Sequence, residues 1–133
     1  MIKHFEITIK TKKRFDFVKI TEKIEEIIKD FKDGIAILYL PHNTCALIIQ
    51  ENDPTIFKDI ENFFNKILPL NAKYEHNYEG SENATAHIIN NLISKTLAIP
   101  FKDGKLQLGT WQDIFVVELF EPRERKVYIS IIC

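Results

Sequence analysis

The chain has only four glycines among its 133 residues, too few to suggest a glycine-rich loop that wraps a phosphate. It has two cysteines, Cys45 and Cys133. Two cannot build a disulfide framework, and a reducing compartment suits them. No apolar run approaches the ~18–20 residues that span a bilayer. The N-terminus, from Met1 to Phe15, alternates apolar and polar residues where a secretory signal needs a continuous apolar stretch. The expected location is therefore cytoplasmic, with no membrane partner. Charge of one sign is also missing. Eighteen basic residues face nineteen acidic ones, which argues against nucleic-acid binding by bulk electrostatics. The basic run from Lys10 to Arg14 reads as a solvated turn. No H-x-x-x-H or C-x-x-C spacing occurs.

Apolar residues are plentiful at 45%, enough for one proper core in a single domain spanning 1–133. Residues 3–11 alternate as a half-buried strand, and 14–20 read as a second. Thr21 is placed to cap a helix carrying Ile24, Ile27, Ile28 and Phe31, which Asp33-Gly34 stops. The apolar runs 35–40 and 46–49 flank Pro41-His42-Asn43-Thr44 and resemble a hairpin with a polar corner. Asp53-Pro54 opens a second helix, with Ile56, Ile60, Phe63, Phe64 and Ile67 on its stripe. Residues 69–83 show no periodicity; a connection this long is usually functional or disordered, and its aromatic content argues against disorder. Asn83 is placed to cap a third helix, with Ala84, Ile88, Asn91 and Leu92 on one face. Strands follow at 96–101, 105–108, 112–120 and 126–132, with Asp103-Gly104 as a hairpin turn. Irregular insertion of helices among strands points to α+β. Both faces of 113–120 are apolar, so that strand needs cover on both sides, part of it from a neighbouring subunit.

Four histidines are present. His4 lies on the polar face of its strand. His42 sits in the polar corner, His76 in the long connection and His87 on the packed side of the third helix. If these three converge, neutral imidazoles suit zinc, and three protein ligands leave a fourth position open. Asn83 or a carboxylate would then orient the rings. Glu118 shares a strand face with Ile114, Val116 and Phe120. A carboxylate there is either ion-paired, to Arg123 or Arg125, or an acid/base group beside an arginine that holds an anion. Trp111 is either a core residue or the stacking wall of a pocket. Asp53 reads as a helix cap and Glu51 as a strand end.

The succession His42-Asn43-Thr44-Cys45-Ala46-Leu47, Glu51-Asn52-Asp53-Pro54, His76, Asn83-Ala84-Thr85-Ala86-His87, Ile99-Pro100, then residues 104–112 ending Leu108-Gly109-Thr110-Trp111-Gln112, Glu118 and Pro122-Arg123-Glu124-Arg125 resembles the YjbQ-like family, often labelled secondary thiamine-phosphate synthase. The match runs nearly end to end. Departures occur at Ser94 and Thr96, at Asn43-Thr44 and at the C-terminus.

The resemblance implies an α+β fold of antiparallel sheets with packed helices, and a homotrimer. It implies a divalent metal, zinc first, at His42, His76 and His87. Glu118 and Arg123 would be catalytic, and Trp111, Gln112, Thr44 and Asn83 would contact a small-molecule substrate. The family label names a reaction that expels pyrophosphate, which ordinarily calls for magnesium on oxygen ligands. Three imidazoles serve magnesium poorly, so either Glu51, Asp53 or Glu118 supplies a separate oxygen site for magnesium, or the natural reaction is a different one; metal-dependent hydrolysis by a metal-bound hydroxide suits three histidines better.

Overall fold

The computed structural model describes residues 1–133. Its elements run β1 Ile2–Lys10, β2 Phe17–Lys19, α1 Thr21–Ile28, β3 Gly34–Tyr39, β4 Cys45–Glu51, α2 Pro54–Ile67, α3 Ser81–Leu92, β5 Thr96–Lys102, β6 Lys105–Leu106, β7 Gln112–Glu118 and β8 Glu124–Ile132. The strands form two antiparallel sheets. One is ordered β1-β8-β3-β5-β6, the other β2-β7-β4. The α+β expectation holds.

The main core lies between the sheets. Val127, Ile129, Ile131, Ala36, Leu38 and Ile99 meet Leu47, Ile114 and Val116, and Ile20, Ile24 and Ile28 of the α1 segment complete it. A second core covers the other face of the smaller sheet. There Ala46, Val117 and Leu119 pack against Ala86 and Ile89 of α3, with Phe64 of α2 against them. β7 is therefore buried on both faces by its own chain. The subunit cover expected for it is not needed.

Local sequence explains several boundaries. Asp53 caps α2 by accepting from the Thr55 N–H at 2.8 Å, with Pro54 in the first turn. Asp103 and Gly104 both adopt positive φ, 51° and 71°, in a two-residue turn pairing Lys102 with Lys105. Two left-handed residues give the twist that antiparallel strands require.

Other expectations are corrected. The strand read over 14–20 shrinks to β2, because Phe15 sits at φ 56° and turns the chain into the second core. Left-handed backbone is costly for a bulky residue, and burial of the Phe15 ring offsets it. Residues 35–49 are not a hairpin. β3 pairs with β5 and β8, while β4 pairs with β7 in the other sheet, so the 41–44 corner is a crossing between sheets. Thr21 lies inside α1, where its hydroxyl donates to Asp113 at 2.7 Å and accepts from the Ile114 N–H. Asn83 is likewise interior and buried, because α3 begins two residues earlier after Gly80. The buried residues of α3 are Asn83, Ala84, Thr85, Ala86, Ile89 and Asn90; of the expected face Ala84 is buried, whereas Ile88, Asn91 and Leu92 face out. On α2, Phe57 turns inward to stack on Phe17, while Phe63 and Ile67 are exposed.

Candidate functional site

The Pro41–Thr44 corner is held at the end of the smaller sheet by a buried ion pair. Glu118 is fully buried and Arg125 nearly so. Arg125 donates from Nε to Glu118 Oε1 at 2.8 Å and from Nη2 to Oε2 at 2.5 Å. The same Nη2 reaches the Thr44 hydroxyl at 2.8 Å and the Thr44 carbonyl at 3.1 Å. Glu118 also accepts from the Thr11 hydroxyl at 2.7 Å and the Phe120 N–H at 3.1 Å. Burial alone would lower the affinity of Arg125 for its proton, but the bonds to Glu118 reverse this and raise it.

This resolves the choice left open for Glu118. Its partner is Arg125, and both carboxylate oxygens are occupied. Arg123 points elsewhere, donating to Glu121 at 2.7 Å and lying over the Phe120 ring. Thr44 is buried and holds Arg125. In one chain, Glu118 and Thr44 form a structural clamp rather than a surface open to substrate.

The clamp fixes His42. Lys126 donates its backbone N–H to His42 Nε2 at 2.9 Å. Asn90 of α3 donates to the His42 and Cys45 carbonyls at 3.1 and 2.7 Å, and Lys95 donates to Asn90 at 3.0 Å. Burial, followed by the positive charge of Arg125, holds His42 below the usual histidine range. Cys45 next to the corner is buried in the core, and burial pushes its thiol up to about 12, so it carries no thiolate chemistry.

His76 and His87 form a pair. Their rings lie 4.6 Å apart between centroids at 67°, with Tyr78 edge-on to His76. The connection over 68–80 supplies one ring and the first turns of α3 the other. Burial and then the neighbouring His76 lower the proton affinity of His87. No group of three histidine, cysteine or carboxylate side chains converges within the chain. The fit to a three-histidine centre is therefore incomplete: two imidazoles meet, and the Nε2 of His42 is already engaged.

Trp111 is not a core residue. It is 74% exposed, beside Gln112, whose side-chain oxygen accepts from the Gly109 N–H at 2.8 Å. Both sit where β7 begins, opposite Glu51, whereas Glu118 lies at its far end opposite Cys45. Six residues of strand separate the two ends, about 20 Å. The same spacing parts Glu51 from Glu118, and Asp53 is engaged as the α2 cap. These carboxylates do not assemble a magnesium site. None of the five cavities is lined by His42, His76, His87, Trp111 or Arg123.

Sequence reading missed two contributors. Asn90 carries no local signal beyond its place on the buried stripe of α3. Arg14, read as solvated, buries Nε and Nη2 without partners while Nη1 donates to Asn65 at 3.0 Å. A basic run gives no hint that one member turns inward.

The neutral imidazoles link stability to pH. A histidine in the unfolded chain titrates near ~6.5. Because His42 and His87 are lowered in the fold, the unfolded chain binds more protons as pH falls past that value. Their contribution is present above it and is lost on going down towards the folded values. We expect Tm to fall between pH 7.5 and 5.5, and to fall less in a His42→Asn/His87→Asn variant. A wild-type Tm that stays level over that range would refute the linkage.

Two antiparallel sheets, with α1 closing the core between them and α2 and α3 covering the outer face of the smaller one, define a small α+β domain of a recurrent kind. A profile of the family described as UPF0047 protein YjbQ-like matches residues 5–133, and the chain belongs to that family. A UPF0047 protein of Methanocaldococcus jannaschii is 44% identical over 131 residues, covering 96% of this chain and 93% of its own. One from Archaeoglobus fulgidus is 38% identical over 125 residues, covering 94% and 98%. Among solved structures, a YbjQ-like protein of Sulfolobus solfataricus superposes with a TM-score of 0.91 at 30% identity, covering 98% of this chain and 96% of its own. A family member from Clostridium acetobutylicum gives 0.89 at 35%, covering 96% and 99%. These descriptions name no reaction.

Proposed function

We propose that the chain is an enzyme acting on a small phosphorylated or otherwise anionic molecule. The His76–His87 pair would hold a divalent ion, zinc by the chemistry of its donors. The observation that carries this reading is the pair itself: two neighbouring imidazoles from separate elements, one with depressed proton affinity. Thiamine-phosphate synthesis, implied by the resemblance, would be an incidental activity. The other ligands of the ion lie outside what one chain assembles, so no chemical step is assigned to it.

A homotrimer is part of the proposal. The outer face of the larger sheet exposes Ile2, Ile35, Tyr39, Tyr128 and Ile132, an apolar surface suited to association.

A second reading is a non-enzymatic trimer that binds a metal or an anion. The engagement of both Glu118 oxygens favours it, since that residue is then no free base.

Elemental analysis of purified wild-type protein beside His76→Ala and His87→Ala tests the metal. The expected result is one transition ion per chain, lost in either variant. Undiminished metal in His87→Ala would sink the assignment. Turnover of a panel of phosphomonoesters, pyrophosphates and carboxylic esters separates enzyme from binding module.

A further inference from the structure

His42 is placed differently from the other two histidines, and its chemistry follows from one bond. A backbone N–H is only a donor, so the Nε2 that receives the Lys126 N–H at 2.9 Å must present a lone pair. The ring proton of the neutral imidazole then resides on Nδ1. Protonation at Nε2 would abolish the bond. Binding a metal there would do the same and leave the Lys126 N–H without its partner.

Nδ1 makes no hydrogen bond within the chain, and the only buried side-chain nitrogens or oxygens without partners belong to Arg14. Nδ1–H of this half-buried ring is therefore unpaired and not sealed from solvent. The ring is also firmly mounted. Arg125 grips Thr44 two residues on, and Asn90 grips the His42 carbonyl. Cations gather at the corner: Arg125 lies beneath it and Arg123 acts on the ring from nearby, while Lys126 follows directly on β8, although each also pairs with a carboxylate, Glu118, Glu121 and Glu6 in turn. A fixed, neutral N–H bordered by these arginine and lysine side chains suits an anionic oxygen.

We propose that His42 is an anion-binding residue, donating from Nδ1–H to a phosphoryl or carboxylate oxygen of the ligand, and is not a metal ligand. This rests on the anionic-substrate reading above but not on the metal.

Nitrogen-edited NMR of the histidine rings in the full-length protein tests it, with His42 assigned by the His42→Ala spectrum. At pH 7–8 the expected pattern is a protonated Nδ1 and a bare Nε2 on His42. Inorganic phosphate or acetate should shift the Nδ1–H resonance; whichever is effective identifies the ligand class. Affinity for the effective anion should drop roughly tenfold in His42→Ala. Zinc should perturb His76 and His87 and leave His42 unmoved. A proton on Nε2, silence towards both anions, or zinc-induced shifts at His42 would each overturn the proposal. Absence of any zinc response, with the His42 pattern and anion response intact, would instead remove the metal reading and leave this one standing. If His42→Ala does not fold, the tautomer and anion response of the wild-type protein still decide the matter.

Discussion

Replacing Arg125 with alanine should destabilise the fold by about 3–5 kcal/mol, because Glu118 would be left buried without its counter-charge. Glu118 has no exposure to relieve the charge, and Arg125 supplies two of its four hydrogen bonds. The Thr44 carbonyl and hydroxyl would lose a donor as well, loosening the corner that carries His42. In a domain whose total stability is of the order of 5–15 kcal/mol, the loss is large. Urea denaturation should show a lower midpoint with an unchanged slope. The pair itself is not required for stability to that degree. Taking two charges out of water opposes their attraction, so Glu118→Leu combined with Arg125→Met should cost less than Arg125→Ala alone. A double variant as unstable as the single one would mean that the clamp geometry, rather than the orphaned charge, sets the loss.

Gly34→Ala should cost roughly 3 kcal/mol or more, through overpacking. Gly34 opens β3, where its α-carbon faces the neighbouring strands without a side chain. A β-carbon would lie 2.2 Å from the Ile132 carbonyl oxygen and 2.8 Å from Cζ of Phe101. The oxygen belongs to the backbone of β8, so it cannot rotate away; β3 must move out of register or the strand end must detach. The melting temperature should fall by about 12 °C or more, taking ~4 °C per kcal/mol for a chain of this size. Gly104→Ala, by contrast, meets a positive φ of 71° and neighbours no closer than 3.3 Å, so strain there is conformational and smaller. If Gly34→Ala melts with the wild type, the close approach of β3 to β8 is wrong.

Elements with local causes were legible. The Asp103-Gly104 turn needs two residues that tolerate positive φ, and the sequence places them between strand-forming runs. The Asp53-Pro54 start of α2 needs a short acceptor and a residue without an N–H. The alternation over 3–11 places β1, and the motif succession from His42 to Arg125 places the chain in its family. Expectations failed where the cause was distant. Phe15 adopts a left-handed backbone because a pocket far along the chain receives its ring. Helix α3 turns Asn90 inward, in place of Asn91, because the His42 carbonyl of the corner and the Cys45 carbonyl at the start of β4 accept from its amide.

Residue order alone specifies the α+β composition, most of the strands and helices, the key turns and the family. It also shows that Glu118 needs either a partner or a task. Packing chose between them. It put β3 and β4 in different sheets, covered β7 from both sides with the same chain, paired Glu118 with Arg125 over Arg123, exposed Trp111, and set His42 apart from His76 and His87. The reason is physical. Backbone preference and periodicity act over a few residues and can be read in order along the chain. Tautomer choice and burial are settled between residues far apart in sequence, as with Lys126 and His42, and even the pairing of Glu118 with Arg125, seven positions apart, joins strands of different sheets and exists only once the sheets have packed.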